Sequence, residues 1–260
     1  MKVAGVIGWP VAQSLSPRLH GFWLAQHGID GAYVKLPVAP HDFATVVRGL
    51  RRAGFQGVSV TIPHKQAAFA IAHRLDETAQ AAGAVNQLVF CEDGTMEGLN
   101  TDAPGLAAAL AGVDYAGKPV VILGAGGASR AAQLALKDAG EIRLLNRTPG
   151  RMGASGFGHW ADAAKDAALV VNATSAGMKG APPLDIDLAL LPGSAVVCDI
   201  VYNPLETALL RRARARGLKA VDGLGMLMHQ AVPAFRAFFG VTPDVTPALR
   251  KTLEEALRDA

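Results

Sequence analysis

Short apolar runs alternate with longer amphipathic segments along the whole chain, which predicts strands followed by helices. The opening run "MKVAGVIG" is typical of a strand, and Ser16 is then expected to cap a helix whose first turn holds Pro17. The alternation continues with predicted strands near 32–36 and 58–62 and helices near 40–52 and from about 66. "NQLVF" and "GTMEGLN" predict two strands joined by a turn at Asp93 and Gly94, so this part is expected to be α/β with a mixed sheet.

The chain beyond residue 117 has a more regular pattern. The segment "PVVILGAGGASRAAQLALKDAG" predicts a buried strand, a glycine-rich turn and a helix that ends at Gly140. The runs "IRLLNRT", "ALVVNAT" and "SAVVCDIV" predict further strands. This regular alternation predicts a doubly wound, Rossmann-like fold that binds a dinucleotide.

Composition and charge exclude several functional classes. Half of the 260 residues are apolar, 18% are charged, and no apolar run approaches the roughly 18 residues that a membrane-spanning helix needs. The net charge of +3 is too mild to indicate a nucleic-acid partner. The N-terminal segment lacks the long apolar stretch of a signal peptide, which favours a cytoplasmic protein. Cys91 and Cys198 have no paired spacing, so neither a disulfide framework nor a metal site is expected, and both are interpreted as core residues.

The stretch "VSVTIPHK" has candidate site residues at the end of a predicted strand. Residues 58–62 alternate between apolar and polar side chains, which predicts a half-buried strand ended by Pro63. Ligands of open α/β sheets bind outside the carboxyl ends of strands, so Thr61, His64 and Lys65 are candidates for a site. An ordinary loop with a solvated lysine is the other interpretation of this stretch.

The glycine-rich turn predicts a cofactor site. Gly124 permits a tight turn, and Gly126 lets the backbone approach a pyrophosphate at a helix N-terminus. The third glycine of the usual pattern is replaced by Ser129. At the position where an NAD enzyme carries an acid, this chain has Asn146 and Arg147, and a guanidinium there favours the 2′-phosphate of NADP. A structural βαβ unit without a ligand remains the alternative.

Taken together, these motifs and their order closely resemble the shikimate dehydrogenase family over nearly the whole chain. The resemblance is carried by "SLSPRLH", "FQGVSVTIPHK", "AGAVNQL", "GLNTDAPG", "GAGGASRA", "NRT", "NATSAGM", "DIVYNPLETALL" and "DGLGMLMHQA". It implies a substrate domain over 1–101, completed by helices of 230–260, and a Rossmann-like NADP-binding domain over 102–229. It also implies NADPH-dependent reduction of 3-dehydroshikimate to shikimate, on the pathway to chorismate and the aromatic amino acids.

The resemblance also assigns roles to residues. Lys65 and Asp102 match the catalytic pair, with Lys65 expected to act as acid and base and Asp102 to orient it. Which of the two carries the proton stays open, because interacting groups titrate as a pair. Asp102 read alone is also consistent with a helix cap. The substrate-binding residues that the resemblance implies are Ser14, Ser16, Thr61, Lys65, Asn86, Asp102, Tyr202 and Gln230.

The cofactor-binding residues implied by the resemblance fall in three groups. They are Gly124, Ala125, Gly126, Gly127 and Ala128 for the pyrophosphate, Asn146, Arg147, Thr148 and Arg151 for the adenosine phosphate, and Ile200 and Gly223 beside the nicotinamide. His64 is interpreted as a bystander and Glu77 as a surface residue of a helix.

Two departures from the family pattern affect the expected specificity. Ser59 stands where asparagine is usual, and Gln87 where threonine is common, so one contact to a ring hydroxyl is expected to be lost or bridged by water. A quinate dehydrogenase of broader specificity is therefore one alternative. A folate-reducing relative and a non-catalytic NADPH-binding sensor are the others. The expected partner is a small-molecule substrate, without nucleic acid or membrane, in a monomer or a homodimer.

Overall fold

The computed structural model describes residues 1–258, which form two compact units. The N-terminal unit consists of Met1–Asp102 together with the chain from Met228 onward, and the central unit consists of Ala103–Leu227. Each unit contains its own sheet. The predicted fold class, an α/β chain with one mixed and one doubly wound sheet, is confirmed.

Strands and helices alternate along most of the chain, and they include several short elements that the sequence pattern did not predict. The strands are β1 (Lys2–Gly8), β2 (Gly31–Pro37), β3 (Gly57–Val60), β4 (Arg74–Leu75), β5 (Gln87–Phe90), β6 (Met96–Leu99), β7 (Pro119–Leu123), β8 (Glu141–Asn146), β9 (Ser155–Gly156), β10 (Leu169–Asn172), β11 (Val196–Asp199) and β12 (Lys219–Val221). The helices are α1 (Ser16–Gln26), α2 (Phe43–Arg52), α3 (Lys65–Ile71), α4 (Glu77–Ala82), α5 (Asp102–Ala109), α6 (Gly127–Ala135), α7 (Trp160–Ala164), α8 (Ala208–Ala215), α9 (Gly223–Phe239) and α10 (Pro247–Arg258).

The sheet of the N-terminal unit has the order β2-β1-β3-β5-β6-β4. Strands β1, β2 and β3 are parallel, whereas β5 runs antiparallel to both of its neighbours, β3 and β6. The carboxyl ends of β1, β3 and β6 therefore lie at the same edge of the sheet as the amino end of β5. The segments that follow or precede these ends can bring side chains together at that edge.

Strand β3 differs from its prediction in length and burial. It spans Gly57–Val60, and all of these residues are buried, whereas Ile62 lies beyond the strand and is 66% exposed. Val58 and Val60 face a core formed with α2 and α3. The opposite face is also covered, since a Cβ on Gly57 would lie 2.4 Å from the ring of Phe238 in α9. A central strand with both faces covered has no polar face, so the half-buried interpretation is wrong and Ser59 is buried.

The start of α1 also differs from the prediction. Ser16 is the first residue of the helix, and Leu15 occupies the cap position without a capping side chain. The hydroxyl of Ser14 instead accepts a hydrogen bond from the backbone N–H of Ser16 at 3.3 Å. Pro17 lies in the first turn as expected, because its missing N–H has no partner there in any helix.

The central unit contains an all-parallel sheet of order β12-β11-β10-β7-β8-β9. Two strand series run outward from β7 in opposite directions, as in the doubly wound folds that bind dinucleotides. Alternate residues of β7 enter two separate cores, Val121 and Leu123 on one face and Val120 and Ile122 on the other. Burial on both faces explains why these strands are continuous apolar runs rather than alternating ones.

The two cysteines have different environments. Cys198 is buried in β11, within one core of the central unit, as expected. The core interpretation of Cys91 is wrong, because this residue is only partly buried and its Sγ lies 3.4 Å from a nitrogen of the exposed Arg74. Residues 1–258 include no group of three or more His, Cys, Asp or Glu suited to a metal ion. None of the helices described combines the length and apolarity needed to cross a membrane.

Candidate functional site

Lys65 and Asp102 form a close ion pair at the sheet edge where β3 and β6 end. Each is the first residue of a helix, Lys65 of α3 and Asp102 of α5. The Nζ of Lys65 lies 2.5 Å from Oδ2 of Asp102, and the two side chains are 20% and 10% exposed. The exposed fractions show a pair that is largely shielded from water yet still reachable by a ligand. Ion pairs in this setting are screened less than surface pairs.

Asn86 holds the other oxygen of the Asp102 carboxylate. Its Nδ2 donates to Oδ1 of Asp102 at 2.8 Å. The backbone of Asn86 bridges two strands, since its carbonyl accepts from Val60 at 2.7 Å and its N–H donates to Leu99 at 3.0 Å. Both carboxylate oxygens of Asp102 are therefore engaged, Oδ2 by Lys65 and Oδ1 by Asn86.

Thr101 and Gln230 complete what we call the polar cluster, which consists of Lys65, Asn86, Thr101, Asp102 and Gln230. The backbone N–H of Thr101 donates to Oδ1 of Asn86 at 2.8 Å, and Asn86 Nδ2 lies 3.0 Å from Thr101 Oγ1. Gln230 belongs to α9, and its Oε1 lies 3.4 Å from Thr101 Oγ1. Thr101 is not among the residues predicted from the sequence, although the polar run "NTD" after an apolar strand is a signal that could have found it.

The remaining substrate candidates lie at defined positions. Thr61 follows β3, and its backbone N–H donates to Ile7 of β1 at 3.0 Å. Gly8 leaves room for it, since a Cβ there would be 2.5 Å from Thr61 Cγ2. Ser14 and Ser16 follow the carboxyl end of β1, which is the same edge of the sheet. Tyr202 follows β11 in the central unit, and its role stays a prediction.

His64 has a structural role, which agrees with its interpretation as a bystander. It is 1% exposed, its Nε2 lies 2.8 Å from the carbonyl oxygen of Val38, and its ring stacks on Phe43 at 4.7 Å. Burial lowers its pKa, so the neutral imidazole is favoured. Because His64 directly precedes α3, this anchoring also fixes the start of the helix that carries Lys65.

The glycine-rich turn after β7 has the geometry that a pyrophosphate requires. Gly124 has φ +112°, and a Cβ there would lie 3.0 Å from the carbonyl oxygen of Ala173. A Cβ on Gly126 would meet nothing within 4 Å, so the space beside the N-terminus of α6 is open. The first turn of α6 holds no acidic residue. Ser129, which replaces the third glycine, is fully buried, and its Oγ accepts from the N–H of Gly126 at 3.4 Å.

The segment after β8 presents exposed positive charge. Asn146 ends the strand, and its Nδ2 donates to the carbonyl of Thr148 at 2.9 Å, which folds the following turn. Arg147 lies in this turn and Arg151 follows it, and both side chains are exposed. The open helix N-terminus and the two guanidinium groups fit a phosphorylated dinucleotide such as NADP, which is anionic at both places.

Ile200 and Gly223 contact each other directly. A Cβ on Gly223 would lie 2.2 Å from the carbonyl oxygen of Ile200, so glycine is required here by the close approach of the two backbones. The resemblance instead explains this glycine by an approach of the nicotinamide. The structure gives a reason within the protein, and a contact with the cofactor stays a prediction.

Asp199 forms a buried network that was not predicted from the sequence. It ends β11 with no exposed surface and accepts from Asn172 Nδ2 at 2.9 Å and from Thr207 Oγ1 at 2.7 Å. Burial raises its pKa to about 6, against the opposing effect of these hydrogen bonds. The network ties the loops after β10 and β11 together. The sequence signal that could have indicated this network is a polar residue at the end of each of two apolar runs, Asn172 in β10 and Asp199 in β11.

Comparisons with known proteins identify the family to which the chain is similar. The family model described as the shikimate dehydrogenase substrate binding domain matches residues 6–88. The model described as the shikimate 5′-dehydrogenase C-terminal domain matches residues 223–254. The chain is 55% identical to the shikimate dehydrogenase (NADP+) of Acidiphilium cryptum, over 97% of this chain and 95% of that protein.

Solved structures show the same architecture. The shikimate 5-dehydrogenase of Thermus thermophilus, in complex with NADP(H) and shikimate, is similar with a TM-score of 0.86 and 39% identity, over 100% of this chain and 99% of that one. The quinate dehydrogenase of Corynebacterium glutamicum, in complex with NAD, has a TM-score of 0.86 and 29% identity, over 98% of this chain and 99% of that one. The resemblance inferred from the motifs is thereby confirmed, and this chain belongs to the shikimate dehydrogenase (NADP+) family.

Proposed function

We propose that this chain catalyses the reversible, NADPH-dependent reduction of 3-dehydroshikimate to shikimate, a step in the synthesis of chorismate and the aromatic amino acids. The observation that carries the proposal is the ion pair of Lys65 and Asp102, which is shielded from water and held by Asn86 at the edge of the sheet. A surface lysine would have no such arrangement.

The polar cluster suits a substrate that is both a polyol and an acid. Lys65 and Asn86 offer N–H donors, whereas Asp102 offers acceptors, so the cluster can bind a ring hydroxyl from both sides. Thr61 and Gln230 are assigned further ring contacts. Ser14 and Ser16, which follow β1, are assigned to the carboxylate, and Tyr202 is assigned a further substrate contact.

Lys65 acts as the acid in the proposed direction of reduction. NADPH, when bound, supplies a hydride to the carbonyl carbon of the substrate. The ammonium of Lys65 donates a proton to the carbonyl oxygen as the hydroxyl forms, and Lys65 regains a proton from water. Asp102 keeps the Nζ of Lys65 in place and accepts from the substrate hydroxyl. In the oxidative direction, Lys65 accepts the proton.

The cofactor is assigned to the central unit. The turn from Gly124 to Ala128, which includes Ala125, Gly126 and Gly127, would hold the pyrophosphate through backbone N–H groups at the start of α6. Asn146, Arg147, Thr148 and Arg151 would bind the adenosine phosphate, which accounts for NADP rather than NAD. Ile200 and Gly223 would lie beside the nicotinamide.

A second candidate activity is the oxidation of quinate, with or without shikimate. It is favoured by Ser59 and Gln87, which depart from the family pattern and are both buried beside the polar cluster. The folate alternative is disfavoured by the polyol-binding character of the cluster. The sensor alternative would not need the Lys65 and Asp102 pair. A cytoplasmic location and the choice between monomer and homodimer stay predictions.

The test is a set of initial rates, followed by nicotinamide absorbance, for shikimate and quinate with NADP+ and with NAD+. We expect a strong preference for shikimate with NADP+. Activity on quinate alone, or with NAD+ alone, would keep the catalytic pair but overturn the specificity. No activity in any combination would overturn the proposal and favour a sensor.

A further inference from the structure

Ser59 and Gln87 lie directly opposite each other in the antiparallel pair of β3 and β5. Gln87 has no exposed surface, and Ser59 is 8% exposed. The hydroxyl of Ser59 donates to Oε1 of Gln87 at 2.7 Å and accepts from the hydroxyl of Tyr33 in β2 at 2.6 Å. In this arrangement the single hydroxyl proton of Ser59 goes to Gln87, and the hydroxyl of Tyr33 is the donor to Ser59. The oxygen of the Gln87 amide therefore faces Ser59, and its nitrogen faces the opposite way.

The nitrogen of that amide faces Gln230. Gln87 Nε2 donates to Oε1 of Gln230 at 3.3 Å. Thr101 Oγ1 at 3.4 Å and Asn86 Nδ2 at 3.5 Å also lie near this oxygen, but the two N–H groups of Asn86 have nearer acceptors in Asp102 and Thr101. An inverted amide would place the N–H groups of Gln230 against the N–H groups of Gln87, which have no lone pair to accept them. The amide of Gln230 is thus held with its oxygen toward the strands and its nitrogen away from them.

Tyr33, Ser59 and Gln87 are buried and form, with the half-buried Gln230, what we call the buried chain, which leads from β2 to the polar cluster. A glutamine suits the third position because it must accept at one end and donate at the other. A hydrocarbon side chain of similar length can do neither. Tyr33 is itself fixed, since its ring stacks on the buried His20 with centroids 3.9 Å apart. The far end of the chain is therefore held in place by a ring contact between β2 and α1.

We propose that Gln87 is a positioning residue that orients the amide of Gln230 and so helps determine which ring hydroxyl pattern the enzyme accepts. This inference rests on the proposed function, in which Gln230 contacts the substrate. Gln87 acts only through Gln230. The two departures from the family pattern, Ser59 and Gln87, are then parts of one hydrogen-bonded arrangement rather than a lost contact.

The test compares Gln87→Met, Ser59→Ala and the double variant with the wild type. Gln80→Met is the matched control, because Gln80 is an exposed glutamine of α4 outside the buried chain. The measurements are kcat and KM for shikimate, for quinate and for NADP+, together with calorimetric binding of shikimate alone. The ratio of kcat/KM for shikimate to that for quinate is decisive, since a smaller folded fraction lowers both rates equally and leaves the ratio unchanged.

For Gln87→Met we expect the KM and the dissociation constant for shikimate to rise about tenfold, the equivalent of one hydrogen bond. The ratio of kcat/KM for shikimate to that for quinate should change, whereas the KM for NADP+ should stay the same. Ser59→Ala should change the same quantities in the same direction, by about threefold. In the double variant, Ser59→Ala should add nothing to the effect of Gln87→Met, because residues of one chain are not independent.

Two outcomes would overturn the inference alone. In the first, Gln87→Met has the same shikimate-to-quinate ratio of kcat/KM and the same KM for shikimate as Gln80→Met. In the second, the effects of Gln87→Met and Ser59→Ala multiply in the double variant. If Gln87→Met fails to fold, Ser59→Ala by itself decides through the same ratio and binding constant. A wild type that neither binds nor oxidises shikimate would overturn the proposed function, and this inference with it. The wild-type measurement therefore separates the two failures.

Discussion

Lys65 and Asp102 are 37 positions apart in the chain, yet Nζ of Lys65 lies 2.5 Å from Oδ2 of Asp102. Each residue begins a helix, so each faces the positive end of a helix dipole. That position favours the carboxylate of Asp102 and disfavours the ammonium of Lys65. The ion pair with Asp102 offsets this unfavourable placement of Lys65.

Replacing Lys65 should remove most of the activity. In Lys65→Met the side chain keeps its approximate length but has no proton to donate, so kcat should fall by about 10²- to 10⁴-fold, the usual range for a general acid or base. Lys118→Met is the control, because Lys118 pairs with Asp114 at 2.6 Å in an exposed ion pair. Steady-state rates of both variants with shikimate and NADP+ make the comparison. Equal losses in the two variants would contradict the catalytic assignment.

Cofactor preference should depend on Arg147 and Arg151. In the double variant Arg147→Gln/Arg151→Gln, the ratio of kcat/KM for NADP+ to that for NAD+ should fall about tenfold or more, because hydrogen bonds to a charged phosphate are lost. The value for NAD+ should change little. Arg211→Gln, at an exposed position of α8 in the same unit, is the control. An unchanged ratio in the double variant would show that the 2′-phosphate is bound elsewhere or not at all.

The buried His20 should make the folded state sensitive to acid. Burial lowers its pKa from 6.5 to about 3, because a charged imidazole is disfavoured in the core. Below pH 6.5 the unfolded chain takes up a proton that the folded protein does not. The contribution of neutral His20 to stability is therefore complete above pH 6.5 and is lost toward pH 3, by up to about 1.4 kcal/mol per pH unit.

The variant His20→Phe tests this effect, since it keeps a ring against Tyr33 and removes the titration. Urea denaturation measures the free energy of unfolding of both proteins. The value for the wild type minus that for the variant should decrease as the pH is lowered from about 7 to about 5. Asp199 acts in the opposite direction, since its raised pKa of about 6 contributes stability below pH 3.8 that is lost as the pH rises to 6. It is present in both proteins and cancels in the difference. A constant difference would contradict the prediction.

Thr207 should stabilise the central unit through its hydroxyl. Its Oγ1 donates to Oδ2 of the buried Asp199 at 2.7 Å and accepts from the N–H of Leu210 at 3.3 Å, as the cap of α8. Thr207→Val should lower the free energy of unfolding by about 1 to 3 kcal/mol, because it removes the cap and leaves a carboxylate oxygen unpaired. Thr207→Ser keeps the hydroxyl and should lose less than half as much. Urea denaturation compares them, and equal losses would assign the effect to packing.

Much of the fold could be predicted from the sequence because its signals are local. The apolar runs of β7 and β10, the glycines of the turn at Gly124 and the proline of α1 each depend on a few neighbouring residues. The order of the motifs also determined the family. The identity of Lys65 and Asp102 as candidates followed from these motifs, without knowledge of their distance.

Only the tertiary structure decided which polar residues meet and which faces are covered. Ser59 was predicted to lie on a polar face, but it is buried, with Tyr33 of β2 and Gln87 of β5 as its partners. Helix α9, which follows the central unit in the chain, brings Gln230 to Gln87 and Thr101, which are 143 and 129 positions away in the sequence. Local sequence determines whether a segment becomes a strand or a helix, because those hydrogen bonds and rotamer preferences are short-range. Burial and side-chain partners depend on segments distant in the chain, so they are decided when the chain packs.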